Sequence, residues 1–325
     1  MKSLFLSIIT PTYNRANKLH VAFNSLMNQT NKNFEWIIVD DGSNDNTPDV
    51  VSAFVKIANF PIIYKKIHHG GKHIATRTAY KIASGKWSLE LDSDDELYSA
   101  TTIDELQKLS RSVPKNYSCI GGCFIDQNDN IFPHIDGKYV DFDKDKYLEY
   151  FCNQDKINML NAPWLFKTEY AKSVLPPIIH DNLTYYPEAV INASRVLKCA
   201  DFHMRLFNQP WYRYYVYNAD SVSVNTYKTN ADWYYALGLL ELFYKYNLLD
   251  KFPDFTKRNI KKLFNSVSRP KTIRTVYAVL KSVNQQRYFA KYLIKYLVKQ
   301  LFSVKHINSK LVITLFGIKI KGCKK

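Results

Sequence analysis

Glycine, proline and cysteine are all scarce in this chain, and each shortage excludes a class of protein. With 10 glycines and 12 prolines in 325 residues, the chain has neither the glycine repeat of collagen nor the composition of a disordered segment. The five cysteines are odd in number and scattered, so they indicate neither a disulfide framework nor a zinc site. We expect free thiols in a reducing compartment.

Long apolar runs are also missing. No stretch approaches the ~18 apolar residues that a membrane-spanning helix needs. The first nine residues resemble the start of a signal peptide, but Pro11, Asn14 and Arg15 follow too early for an apolar core and cleavage site. This segment is better interpreted as a buried strand, and we expect the protein to stay in the cytosol.

Acidic side chains are almost absent from the last quarter of the chain. Residues 251–325 contain 19 lysines and arginines and one acid, Asp254, whereas the other 250 residues carry 26 basic and 28 acidic side chains. The formal net charge of +16 therefore arises in the C-terminal part. Such asymmetry indicates a separate role for that part, at a membrane surface or on a polyanion.

The basic quarter contains a helical pattern of charge. Arg287, Lys291, Lys295 and Lys299 recur every four residues between apolar positions. This pattern is typical of an amphipathic helix at an anionic membrane surface. The alternative is a helix that packs its apolar stripe on the rest of the protein and leaves its lysines in solvent.

Glycine-rich nucleotide fingerprints are absent too. The sequence contains neither the G-x-G-x-x-G motif of dinucleotide-binding proteins nor a P-loop, which argues against dehydrogenases and P-loop NTPases. It does contain a glycine turn, His68-His69-Gly70-Gly71, immediately before a predicted helix. Backbone N–H groups at a helix N-terminus favour anions, and Lys72 and Arg77 add positive charge there.

Strand-like apolar runs alternate with helical patterns over the first 125 residues. The predicted strands are 4–10, 35–39, 61–67, 87–91 and 117–125, and the predicted helices between them are 17–29, 47–57 and 73–83. This alternation predicts an α/β fold with a mostly parallel sheet flanked by helices.

The pattern changes near residue 225. A mixed, aromatic-rich section covers 126–223, and helical patterns follow at 232–246, 256–267 and 272–302. We therefore predict a first domain over 1–225 and a basic, mostly helical C-terminal extension over 226–325.

Two aspartate clusters each follow an apolar run. Asp40 and Asp41 end one predicted strand, and Asp92, Asp94 and Asp95 end another. Ligands of α/β sheets bind at the carboxyl ends of strands. Asp92 and Asp94 point the same way if the segment is extended, so they can face one divalent cation with a bound diphosphate. The alternative is a solvated acidic turn.

Several motifs occur in a characteristic order. They are Thr10-Pro11-Thr12-Tyr13-Asn14-Arg15, Val39-Asp40-Asp41-Gly42-Ser43, and Gly85-Lys86-Trp87 leading into Leu91-Asp92-Ser93-Asp94-Asp95. Together they resemble the family 2 glycosyltransferases, specifically over about residues 4–97 and more loosely to about residue 225. The resemblance implies the GT-A fold, which binds nucleotide-diphospho-sugars, and an inverting transferase.

The same resemblance implies a nucleotide site. Pro11 and Tyr13 would lie against the base, and Asp41 would hydrogen-bond it, with uracil as the expected base. Lys72 and Arg77 lie in the segment that approaches the nucleotide.

The resemblance also implies a reaction site. Asp92 would lie near the ribose or the sugar, and Asp94 would contact a Mn²⁺ or Mg²⁺ ion that bridges the diphosphate. Glu188 lies where related enzymes carry the catalytic base, and Asp181 is the reserve choice. Asn161 falls where some relatives have an acid, which leaves the acceptor contacts open.

Five aromatic residues could stack on a sugar, although we expect that role for only one or two of them. They are Trp164, Tyr212, Tyr214, Tyr215 and Tyr217.

The leading hypothesis is thus an inverting, metal-dependent transferase. It would move a sugar from a UDP-sugar to a hydroxyl of a growing bacterial surface glycan at the cytoplasmic face of the inner membrane. A lipid-linked acceptor is part of this hypothesis. One alternative is a non-catalytic module that binds nucleotide-sugars or glycans. Another is a nucleic-acid-binding protein, which the lack of a recognised motif and the slightly acidic first 250 residues disfavour. A haloacid-type phosphatase also uses an Asp-x-Asp motif, but Glu96 stands where the resemblance would require Thr or Val, two residues after Asp94, which disfavours that class.

Overall fold

A computed structural model describes residues 4–153, 162–175, 188–215, 231–265, 280–281, 285, 303–307, 310–315 and 318–321. The chain divides into two compact units, Met1–Thr226 and Tyr227–Lys325.

The first half of the first unit alternates strands and helices as predicted, with ends that differ by at most two residues. These elements are β1 (Leu6–Thr12), α1 (Leu19–Met27), β2 (Phe34–Asp40), α2 (Thr47–Ile57), β3 (Ile62–Lys66), α3 (Lys72–Ile82) and β4 (Trp87–Glu90). All residues of β1 and β2 are buried, as expected of central parallel strands. Helix α2 has Pro48 in its first turn, where its missing N–H costs no hydrogen bond.

The second half of this unit is more irregular. Its elements are β5 (Glu96–Leu97), α4 (Thr102–Ser112), β6 (Cys119–Asp126), β7 (Ile131–Phe132), β8 (Tyr139–Asp143), α5 (Lys144–Cys152), β9 (Trp164–Lys167), α6 (Thr168–Ser173), α7 (Glu188–Lys198) and β10 (His203–Tyr214). Of the four free cysteines in the described residues, three are buried.

One sheet joins the two halves. Its strand order is β3-β2-β1-β4-β9-β6-β10-β5, with β7 beside β6 and β8 beside β10. Strands β1 to β4 pair in parallel, as do β6 and β10, whereas β9 is antiparallel to both of its neighbours. Within this sheet most paired residues lie in parallel ladders, so the predicted α/β class is confirmed. The antiparallel insertion of β9 was not predicted.

Aromatic side chains fix the helices on the parallel part of the sheet. Phe23 of α1 stacks on Phe54 of α2 with centroids 4.0 Å apart, and Trp36 of β2 donates from Nε1 to Thr10 Oγ1 at 2.8 Å. The stack joins the two helices and the hydrogen bond joins β1 to β2, whose register places Thr12 opposite Asp40. The carboxyl ends of the two strands therefore lie side by side.

The second unit contains helices α8 (Ala231–Lys245) and α9 (Pro253–Asn265), close to two predicted helices. It also has an antiparallel sheet of β11 (Ser303–Ile307), β12 (Lys310–Leu315) and β13 (Ile318–Lys321), which the mostly helical prediction did not include. Most of the predicted basic helix over 272–302 lies outside the described residues. Among the residues that are described, no helix has the length and apolarity to cross a bilayer.

Candidate functional site

Asp40, the last residue of β2, builds a turn rather than a ligand site. Its Oδ1 accepts a hydrogen bond from the Ser43 N–H at 2.7 Å, and its Oδ2 accepts one from the Tyr64 hydroxyl at 2.5 Å. Burial and this carboxylate raise the pKa of Tyr64, so the phenol remains a donor. Asp40 thereby fixes the loop in which Asp41 lies.

Asp41 connects this turn to the glycine turn before α3. It is 2% exposed, and its two oxygens accept hydrogen bonds from Gly70 N and Gly71 N, each at 2.8 Å. His69 Nδ1 lies 2.9 Å from Asp41 Oδ2. Gly71 has φ of +95° at the N-cap of α3, a conformation that favours glycine. The predicted contact of Asp41 with a base stays a prediction, since the protein itself already occupies both oxygens.

The two residues predicted beside the base lie next to this turn. Pro11 is buried in β1 opposite Val39. Tyr13 is 39% exposed and stacks on His69, with ring centroids 4.3 Å apart and planes 25° from parallel. An aromatic surface that is open to solvent therefore lies at the carboxyl end of β1.

The second aspartate cluster forms a turn after β4. The Asp95 N–H donates to the Asp92 carbonyl at 3.2 Å, and Asp94 Oδ2 lies 3.9 Å from Arg15 Nη1. Burial, followed by the charges of Asp92 and Asp94, raises the pKa of Asp95 well above its usual value. Asp95 therefore keeps its proton more readily than a free aspartate, while Asp92 and Asp94 each lie near one positive side chain, Lys72 and Arg15.

Lys72 brings together residues far apart in the sequence. Its Nζ lies 2.8 Å from Asp92 Oδ2 and 2.5 Å from Glu188 Oε1. Burial would lower the pKa of Lys72, but the charges of the two carboxylates outweigh that effect and raise it well above its usual value. Three predicted site residues therefore meet in one contact group. Arg77 lies half-buried on α3, and Asp181 and Asn161 lie outside the described residues.

The contact group borders a cavity of about 80 Å³. Its lining residues are Lys72, Glu90, Asp92, Ala162, Pro163, Trp164, Phe166, Glu188, Ile191, Asn192, Arg195 and Tyr212. Only some of the five aromatic residues predicted to stack on a sugar line this cavity. Trp164 and Tyr212 line the cavity, whereas Tyr214 packs on Phe124 and the Tyr215 hydroxyl donates to Glu96. Tyr217 lies outside the described residues.

Glu90 and Arg195 are cavity residues that the sequence reasoning missed. Each had a signal, since Glu90 lies two residues before Asp92 in extended chain and Arg195 lies two helical turns after Glu188. Spacing alone did not show that the two side chains meet.

The aspartate turn fits a divalent cation only if another molecule supplies ligands. Within the described ranges, no group of three or more His, Cys, Asp or Glu side chains could hold a metal by itself. Mg²⁺, however, is typically bound by one or two carboxylates plus phosphates. The Asp94 side chain is 20% exposed, so it could hold such a cation together with a diphosphate, and the assignment of Asp94 stays a prediction.

Comparisons with known proteins agree on one family. The model named "Glycosyl transferase family 2" matches residues 7–174. A Campylobacter jejuni protein named GalNAc(5)-diNAcBac-PP-undecaprenol beta-1,3-glucosyltransferase is 30% identical over 242 residues, which cover 73% of this chain and 72% of that protein. Three longer relatives from Rickettsia are also named as glycosyltransferases, and their matches to this chain span only 21%, 21% and 18% of their own lengths.

Solved structures share the fold at low identity. Staphylococcus aureus TarS residues 1–349 in complex with UDP gives a TM-score of 0.55 at 18% identity, covering 98% of both chains. The mannosyltransferase PcManGT from Pyrobaculum calidifontis, in complex with GDP-Man and Mn²⁺, gives 0.50 at 14% identity, covering 90% of this chain and 86% of that one. At these identities the likeness establishes the GT-A fold and no more.

Proposed function

The chain belongs to glycosyl transferase family 2, and from this premise we propose that it transfers a sugar from a UDP-sugar to a hydroxyl of a growing glycan. The observation that carries the proposal is the Lys72 contact group. It places the predicted donor residue Asp92 and the predicted base Glu188 on one ammonium, beside the aspartate turn. A TarS structure that contains UDP supports the choice of nucleotide.

The nucleotide would lie at the carboxyl ends of β1 and β2. Tyr13 offers a ring for the base, and Pro11 and Asp41 shape the surface behind it. Lys72 begins α3, so its ammonium and the backbone N–H groups of that helix start favour the diphosphate. Arg77 adds positive charge on the same helix.

Glu188 is the proposed base for the acceptor hydroxyl. Its side chain is 57% exposed, at the first position of α7, where an acceptor can reach it. It would take the hydroxyl proton as the new C–O bond forms, while the bond from the anomeric carbon to UDP breaks on the opposite face. That geometry inverts the anomeric configuration.

Asp94 is the proposed ligand of Mn²⁺ or Mg²⁺. Such an ion, when bound, would balance the charge of the departing diphosphate. PcManGT, whose complex contains Mn²⁺, supports the choice of metal.

The acceptor we propose is a lipid-linked bacterial surface glycan. The name of the Campylobacter relative includes an undecaprenol-linked substrate, which supports this class. The 19 basic residues of 251–325 would hold the protein on anionic lipid at the cytoplasmic face, at about 1 kcal/mol for each residue near the surface.

Thermal unfolding with nucleotides tests the proposal, because a ligand of the folded state raises the Tm. We expect UDP and at least one UDP-sugar to raise the Tm of the wild type with Mn²⁺ present. Asp94→Ala should lose the metal-dependent part of the shift. The exposed Asp201→Ala serves as the control and should behave as the wild type. A folded wild-type sample that responds to no nucleotide contradicts the proposal.

A further inference from the structure

The wall of the cavity beyond Lys72 carries an ion pair between a buried arginine, Arg195, and a half-buried carboxylate, Glu90. Arg195 is 2% exposed, and its Nη2 donates to Glu90 Oε1 at 2.8 Å. The Tyr80 hydroxyl donates to the same oxygen at 2.8 Å. Two donors therefore hold one oxygen of a carboxylate that lines the cavity.

Arg195 is a rigid support for this carboxylate. Its guanidinium lies over the rings of both Phe166 and Tyr80, at 4.6 and 5.1 Å from their centroids. Its Nη1 donates to Asn192 Oδ1 at 3.2 Å. A cation held by two rings and two hydrogen-bond acceptors has little freedom to leave Glu90 for another anion.

The cavity wall keeps hydrogen-bonding capacity for a ligand. No donor within the described part of the chain contacts Glu90 Oε2, and the Glu90 side chain is 29% exposed. Trp164, another lining residue, has a buried Nε1 without a hydrogen-bond partner among the described residues. Carboxylate acceptors and aromatic faces together suit a ring that carries hydroxyl groups.

We propose that Glu90, supported by Arg195, selects the transferred sugar by accepting a hydrogen bond from one of its hydroxyls. The inference rests on the proposed function, since it requires a bound sugar nucleotide. The donor sugar is favoured over an acceptor sugar because Glu90 is the last residue of β4, two residues before the Asp92 that contacts Lys72. Arg195 acts through Glu90 and is a positioning residue.

The test compares the affinity for UDP with the affinity for UDP-sugars. Kd is measured with Mn²⁺ and without acceptor, for UDP, UDP-glucose, UDP-galactose, UDP-N-acetylglucosamine and UDP-N-acetylgalactosamine. In Glu90→Gln we expect the Kd for the preferred sugar nucleotide to rise about tenfold, the usual loss for a hydrogen bond to a charged group. The Kd for UDP should stay within about twofold of the wild type.

A matched control separates sugar selection from general damage. Asp141→Asn changes another carboxylate that pairs with an arginine, Arg205, outside the cavity, and should alter neither affinity. If Glu90→Gln does not fold, Asn192→Ala replaces it, and the same selective loss of sugar-nucleotide affinity is expected from the cavity wall.

The outcomes distinguish the two proposals. A wild type that binds no UDP compound overturns the proposed function and this inference with it. A wild type that prefers one UDP-sugar, with a Glu90→Gln variant that keeps the same preference and affinity, overturns only the inference. Equal weakening for UDP and UDP-sugars also overturns it, because that result shows a structural role.

Discussion

At the scale of residues, Lys72 determines which charges of the site meet. Its ammonium contacts both Asp92 and Glu188, which would otherwise repel each other. A bound diphosphate would compete for the same ammonium. Donor binding would then release Glu188 from its ion pair at the moment when a base is needed. Under the proposed function, the group would thus link donor binding to the readiness of the base.

Glu188→Gln tests this role most directly. We expect transfer to fall by a factor of about 100 or more, since general base catalysis contributes about 10²–10⁴. The Tm shift from UDP with Mn²⁺ should persist, because the amide keeps the shape of the side chain. Initial rates of UDP release in the presence of acceptor measure the transfer activity.

Glu169→Gln is the matched control for Glu188→Gln. Glu169 is also an acid in the first turn of a helix, α6. Its replacement therefore reproduces any helix-dipole effect of losing the charge, at a position that does not line the cavity. Full transfer activity in Glu188→Gln would rule out this residue as the base.

Single residues also show where sequence reasoning ends. Asp92, Asp94 and Glu188 were predicted because motifs mark them. The bridge from Lys72 to Glu188 crosses 116 positions, and the Glu90–Arg195 pair crosses 105. No local pattern encodes which side chains meet over such separations, since packing of α7 against the sheet decides it.

At the scale of elements, the strands and helices of the first 125 residues were predictable because their periodicity is strong. The antiparallel β9 was not predicted, since it is short and lies in the aromatic-rich section. Its place between β4 and β6 depends on contacts between residues that are far apart in the sequence. The sequence thus predicted the half of the sheet that carries the proposed nucleotide site, and not the half that completes the cavity.

Strands β6 and β10 pack so closely at Gly122 that a side chain would not fit there. A Cβ at Gly122 would lie 2.3 Å from the indole ring of Trp211, which is fully buried. Overpacking of this kind costs about 1–3 kcal/mol. We therefore expect Gly122→Ala to lower the midpoint of urea unfolding. Trp211→Phe should remove much of that loss in the double variant, and strict additivity would contradict the contact.

Helix α3 should make stability depend on pH through His73. The residue is 7% exposed, and burial lowers its pKa, opposed by the charge of Asp41. Below about pH 6.5, the unfolded chain takes up a proton at this ring that the folded state binds only at lower pH. Stability should therefore fall as the pH drops from 7 to 5.

Urea unfolding over that pH range measures the His73 effect. The slope of the unfolding free energy against pH should be shallower in His73→Gln than in the wild type. For one proton the difference cannot exceed about 1.4 kcal/mol per pH unit. Equal slopes would exclude His73 as the source.

At the scale of the whole molecule, charge is divided between a nearly neutral first part and a basic end. We expect removal of residues 272–325 to release the protein from vesicles that contain anionic lipid. Sedimentation with such vesicles measures this, and salt should weaken the binding of the full chain. The truncated chain should keep its Tm shift with UDP and Mn²⁺. Undiminished vesicle binding after truncation would refute the role of the tail.

The position of β9 also bears on the order in which the chain can assemble as it is synthesised. Strand β1 pairs with β2 and β2 with β3, each the next strand in sequence, and β4 pairs with β1 at Leu6 and Trp87, so all four can pair once the chain has been made as far as β4. The free edge of β4 has no partner until Trp164–Lys167 has been made. Exposed edges invite pairing with other chains, so we expect the edge of β4 to be open to misassembly until β9 has been made, which is the stage at which a chaperone would act.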